Sequence, residues 1–218
     1  MTTPRLGRIE AAAGAVVAVL LMAVTLGLPT WASYLVLWIP LLTAVLVAQH
    51  RGRIADDTSD SISRIRFRFT WMDMLVGAFT GLSLRFLIIV IELFSVGHIT
   101  SSSSLFAVDH DLLWLFVAVL APAIIAPFVE ELFFRGLVLP AIGVNWIGIV
   151  GSAIIFSAVH LVYGFNPLTA VTTFVAGLVF GFLAVRTKRL GAGITAHIFY
   201  NASLIAISEL GGMAPVGG

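Results

Sequence analysis

The sequence predicts an all-helical, polytopic membrane protein with about seven transmembrane helices, its N-terminus cytoplasmic and its C-terminus outside. Three observations predict it. Residues of the set AVILMFWYC make up 60% of the 218 positions and charged residues only 11%, against about 25% charged in ordinary soluble domains. The apolar residues fall into runs of the ~20 residues that a helix needs to cross a bilayer. The basic residues gather in alternate loops. The same figures exclude a water-soluble globule and a disordered chain, and a net charge of +1 excludes the basic footprint of a nucleic-acid binder. With no cysteine, disulfides, thiolate metal sites and a cysteine nucleophile are excluded as well.

Seven apolar runs qualify as spans: 11–28, 31–49, 73–96, 112–139, 146–163, 168–185 and 190–209. The first follows Arg5 and Arg8, as a signal peptide would, but it is long for a signal core and lacks a small-x-small cleavage site, so it reads as a retained span. Arg5 and Arg8 precede span one, Arg51, Arg53, Arg64, Arg66 and Arg68 follow span two, and Arg186, Lys188 and Arg189 lie between spans six and seven. Seven spans put all of these on one side, and the positive-inside rule makes that side cytoplasmic. The chain reads as a single membrane domain over 1–218, with three spans and their loops in 1–111 and a four-helix region in 112–209. No internal repeat is visible, which weakens a transporter built from inverted repeats. Gly77-x-x-x-Gly81 and Gly177-x-x-x-Gly181 read as close helix packing. The outer-loop residues His98, Asp109, His110 and Asp111 suggest a helix cap ahead of span four rather than a metal site.

Charged groups inside a bilayer are expensive and mark partners or cavities. Here they are Arg85, Glu92, Glu130, Glu131, Arg135, His160 and His197, with Asn201 one turn past the last histidine. Glu131 and Arg135 have the favourable acid-first spacing of an i,i+4 ion pair. Glu130 is rotated roughly 100° from Glu131 and has no evident local counter-charge. Apolar walls destabilise its anion, which makes a carboxylate a better base near neutrality. Phe156 and His160 share one helical face, and so do His197 and Asn201. Arg85 and Glu92, seven apart, read as a mutually or externally paired couple, the alternative being a substrate carboxylate on Arg85.

Glu130-Glu131-x-x-x-Arg135, Phe156-x-x-x-His160 and His197-x-x-x-Asn201, in that order, resemble the three motifs of the CPBP family of CAAX proteases and bacteriocin-processing enzymes, also called the ABI family. Gly136 and the Arg-x-Lys-Arg loop before the last motif add to the likeness, which covers roughly 112–209. The resemblance implies an intramembrane endopeptidase acting on membrane-associated peptides, of CAAX type or of leader or bacteriocin type. By that analogy Glu130 and His160 hold and activate a water, with Glu130 as general base, while His197 and Asn201 stabilise the oxyanion. Glu131, Arg135 and Phe156 take supporting roles. Metal dependence is left open: Glu130, His160 and His197 make a His₂Glu zinc set, and the same groups can polarise water unaided. The alternatives from other classes are a non-catalytic immunity or regulatory module on this scaffold and a small proton-coupled transporter.

One difficulty follows from helix geometry. At ~1.5 Å per residue, Glu130 and His197 lie about 15 and 10 Å from the cytoplasmic ends of their spans, and His160 about 20 Å. Tilt or a break near Pro122 or Pro127, or other bounds for span four, would let the three converge.

Overall fold

The computed structural model describes residues 13, 16, 17, 20, 21, 30–56, 65–96, 112, 115–161 and 166–212. Apart from isolated helical positions, the span expected over 11–28 lies outside them, as do His98, Asp109, His110 and Asp111. Six helical elements follow: α1 (Thr30–Asp56), α2 (Trp71–Val96), α3 (Leu115–Ile142), α4 (Trp146–His160), α5 (Pro167–Thr187) and α6 (Gly191–Gly212). Trp71–Ser95, Leu115–Ile142 and Pro167–Thr187 are long and apolar enough to cross a membrane. Tyr34–His50, Trp146–His160 and Gly191–Ile207 are shorter apolar helices. The chain is therefore an all-helical membrane protein.

Local chemistry sets the helix starts. Asn145 caps α4 by accepting from the amides of Ile147 and Gly148 at 2.9 and 3.2 Å, and Asn166 caps α5 through Leu168 and Thr169. Pro167 at the first turn of α5 gives up only an amide that would lack a partner anyway. Thr70 and Asp73 open α2 with a reciprocal box: the Thr70 amide donates to Asp73 Oδ2 at 2.9 Å and the Asp73 amide to Thr70 Oγ1 at 3.2 Å. Gly143, with φ of 155°, turns the chain from α3 into α4.

α3 is the irregular element. It is π-helical over Leu115–Ile125, α-helical over Ala126–Phe133, π-helical again over Phe134–Val138, and α-helical over Leu139–Ile142. The break expected near Pro122 or Pro127 thus takes the form of wider π turns. A proline has no N–H and crowds the preceding turn, and a π register is one way to absorb it.

α6 sits at the centre, packed on α2, α3 and α5, with α4 packed on α5 and on the C-terminal part of α3. Apolar burial gives little drive between helices in lipid, so close backbone contact matters. Gly77 and Gly81 provide it: a Cβ on Gly77 would lie 2.7 Å from the Ala192 carbonyl, and one on Gly81 would collide with that of Ala196. α1 packs on the Ala126–Phe133 part of α3, where Trp38, Leu41 and Val45 join Val129, Phe133 and Phe156 in one cluster. At one end of the bundle the segment before α2 is tied to the α5–α6 turn. The Arg66 amide donates to the Lys188 carbonyl and the Leu190 amide to the Arg66 carbonyl, both at 3.0 Å. Arg189 adds two bonds to Asp73, at 3.0 and 2.9 Å. The Asp73 carboxylate beside it raises the affinity of the Arg189 guanidinium for its proton above the ordinary value.

Candidate active site

Glu131 projects from α3 into the centre of the bundle and is fully buried. Its Oε1 lies 2.9 Å from Arg135 Nη1 and 3.2 Å from His197 Nδ1. The arginine contact is one of opposite charges, without the alignment of a hydrogen bond. Arg135, equally buried, donates Nη2 to the Gly177 carbonyl at 3.2 Å and places its guanidinium 4.6 Å from the centre of the Phe156 ring. Its position within the second π segment and the close approach of α5 to α4 at Gly177 bring that carbonyl within reach. The other carboxylate oxygen of Glu131 faces Gly193, where a Cβ would stand 3.1 Å away.

Glu130 lies elsewhere on the helix circumference. Its side chain is 13% exposed against 0% for Glu131, and its Oε2 is 3.8 Å from His197 Nε2. That separation is too long for a direct hydrogen bond and suits one water between the two groups. His197 bridges the doublet, with Nδ1 on Glu131 and Nε2 towards Glu130. Since an ionised carboxylate only accepts, Nδ1 carries the proton. Phe180 stacks on the imidazole with centroids 4.6 Å apart and planes 25° apart, and Phe156 meets it edge-on at 5.8 Å. The ring plane of His197 is thereby held from three directions.

His160 ends α4. Its Nδ1 is 2.8 Å from the Phe156 carbonyl, so Nδ1 is the donor and Nε2 keeps its lone pair. Its ring lies 4.5 Å from that of Phe156, which touches both imidazoles. The structure brings Glu130, Glu131, Arg135 and His197 together directly and joins His160 through Phe156. Among the described residues no three His, Cys, Asp or Glu side chains gather to hold a metal ion. Glu130 and His197 approach each other at 3.8 Å, while the described contacts join His160 to them through Phe156, so a metalloprotease assignment gains no support.

Asn201, one turn beyond His197, donates Nδ2 to the Pro122 carbonyl at 2.9 Å. In a π register that carbonyl would accept from residue 127, and Pro127 has no N–H. Asn201 supplies the missing donor and ties α6 to α3. Arg85 donates Nε to the Tyr200 carbonyl at 3.1 Å and lies 3.8 Å over the Tyr200 ring. It braces the same stretch of α6 from α2, and the alternative of a substrate carboxylate on Arg85 finds no support in this buried position. Sequence reasoning missed Phe180, Gly193 and Asp73. Phe180 and Gly193 carry no charge or spacing signal, whereas Thr70-x-x-Asp73 is a capping-box pattern and was open to notice.

Fold and site together define an intramembrane protein whose buried acid–arginine pair and imidazole support a second, more accessible acid. Residues 111–203 match the family model described as Type II CAAX prenyl endopeptidase Rce1-like, a likeness that supports the CPBP/CAAX protease family for this region. No curated protein and no solved structure matches the chain. The family is one of proteases, which supports a peptidase.

Proposed function

We propose that the chain is an intramembrane endopeptidase that hydrolyses membrane-associated peptides of CAAX type or of leader or bacteriocin type with water activated by Glu130. The observation that carries the reading is the 3.8 Å approach of Glu130 Oε2 to His197 Nε2, on the accessible side of a doublet whose other acid is engaged by Arg135. A water held between them, with the free Nε2 of His160 as a further acceptor, gives a proton to the Glu130 carboxylate as its oxygen adds to the scissile carbonyl carbon. The oxyanion that forms takes hydrogen bonds from His197 Nε2–H and the Asn201 amide. Donation from Nε2 requires the imidazolium form; its charge and that of Arg135 are balanced at this stage by Glu131 and the oxyanion, Glu130 having taken up the water's proton. Collapse breaks the C–N bond, and Glu130 returns the proton to the departing amine. No metal enters these steps.

In this reading the protein spans the cytoplasmic membrane seven times with its basic end in the cytoplasm. The test is cleavage of prenylated and unprenylated membrane-anchored peptides in proteoliposomes. Glu130→Gln should lower the rate by ~10²–10⁴, the range of general-base contributions, and undiminished cleavage would remove Glu130 as the base.

A further inference from the structure

The catalytic cluster uses none of the basic residues at the end of the bundle. In the chain, Arg66 and Arg68 are separated from Arg186, Lys188 and Arg189 by more than a hundred positions. In the fold they are neighbours, because Arg66 exchanges backbone hydrogen bonds with Lys188 and Leu190. Such a two-bond bridge sets the spacing of the two strings of cations, where a free loop would let them repel and separate. Asp73 neutralises one of them: it binds Arg189 through both carboxylate oxygens. Arg66, Arg68, Arg186 and Lys188 stay exposed, and no acid lies in 65–70 or 186–190. Lys188 adopts φ of 53° at the end of α5, a left-handed conformation that a lysine accepts only where the turn demands it.

Apolar surface continues directly from these charges. Phe67 is 56% exposed, and Trp71, Met72 and Leu75 in the first turns of α2 are 69%, 48% and 59% exposed. Trp71 stands where an aromatic residue marks the membrane–water boundary. Cations that end on a lipid-facing apolar surface match an amphiphile with an anionic head and acyl tails. We propose that the bridged cluster of Arg66, Arg68, Arg186 and Lys188 binds the phosphate headgroup of an anionic phospholipid, with its chains along α2. Basic clusters at membrane boundaries recognise such headgroups, each cation adding a similar increment. Because Leu190 belongs to the bridge and α6 begins at the next residue, the bound lipid braces the helix that carries His197.

The test is native mass spectrometry of the full chain in detergent with added phosphatidylglycerol or phosphatidylcholine. Wild type should retain phosphatidylglycerol and not phosphatidylcholine, and retention should fall as salt is raised. A triple variant, Arg66→Gln with Arg68→Gln and Lys188→Gln, should weaken retention roughly a hundredfold. Glu130→Gln should bind like wild type, which separates this proposal from the peptidase reading. Equal retention of the two lipids, or retention insensitive to salt, would overturn it without the variant having to fold. Displacement of the lipid by inorganic phosphate alone would assign the cluster to a free anion instead and overturn the lipid site.

Discussion

Glu130 and Glu131 are adjacent, chemically identical and differently placed, so one substitution made at each separates catalysis from stability. In Glu131→Gln the charge opposite Arg135 disappears while the guanidinium stays fully buried, 2.9 Å from where the carboxylate oxygen was. His197 Nδ1 also loses its ionised acceptor at 3.2 Å. Removing one partner of a buried pair costs about 3–5 kcal/mol, which is roughly 10²–10⁴ in the unfolding equilibrium. Among the described contacts Glu130 makes the 3.8 Å approach to His197, and its side chain is 13% exposed against 0% for Glu131. Glu130→Gln should therefore destabilise the fold less than Glu131→Gln does and abolish most of the activity. Reversible unfolding in mixed micelles and peptide cleavage in proteoliposomes, on both variants, decide the matter. Equal destabilisation by the two substitutions, or a Glu131→Gln protein as stable as wild type, would refute the division of labour derived from the geometry.

Asn201→Ala should cost about 1–3 kcal/mol by orphaning the Pro122 carbonyl and lower the cleavage rate by ~10²–10³ if its amide also serves the oxyanion; unfolding and kcat measured on one preparation separate the two losses. Gly81→Leu should push α2 away from the Ala196 carbonyl and destabilise by about 1–3 kcal/mol or more, while the same change at Gly136, whose Cβ would meet the Leu190 side chain at 3.5 Å and the Glu131 carbonyl at 3.9 Å, should be milder; thermal melting of both variants checks the order. Asp73→Asn should loosen the α2 cap and the Arg189 clasp together by about 1–2 kcal/mol, read as faster amide exchange at the start of α6. In the proposed mechanism Glu130 and the imidazoles polarise the water unaided, so cleavage should survive chelation; activity lost to a chelator and restored by zinc would contradict it.

Much of the fold class was legible because the bilayer is a demanding solvent. A backbone in hydrocarbon must satisfy its own hydrogen bonds, so a long apolar run can only be helix or closed barrel, and the runs at 73–96 and 168–185 correspond closely to α2 and α5. The Glu131–Arg135 spacing was equally readable, since residues four apart on a helix must meet. Other features were not. Whether α3 bends at its prolines depends on what lies across from it, and the answer is a π register completed by Asn201 from α6. Whether Glu130, His160 and His197 lie near one another was not legible either, because residue types carry no distances; the structure brings Glu130 to His197 and links His160 to them through the Phe156 ring.

Composition and spacing alone determined that this is a helical membrane protein with an acid doublet, an arginine and two imidazoles in separate helices. That follows from solvation cost and helical period, both local properties of the chain. The tertiary structure decided which glutamate is tied to arginine and histidine and which is left accessible, which aromatic rings fix His197, and that two distant basic loops form one surface. Those outcomes depend on contacts between helices, where the approach is set by small residues such as Gly77, Gly81 and Gly177 and by the register each helix adopts.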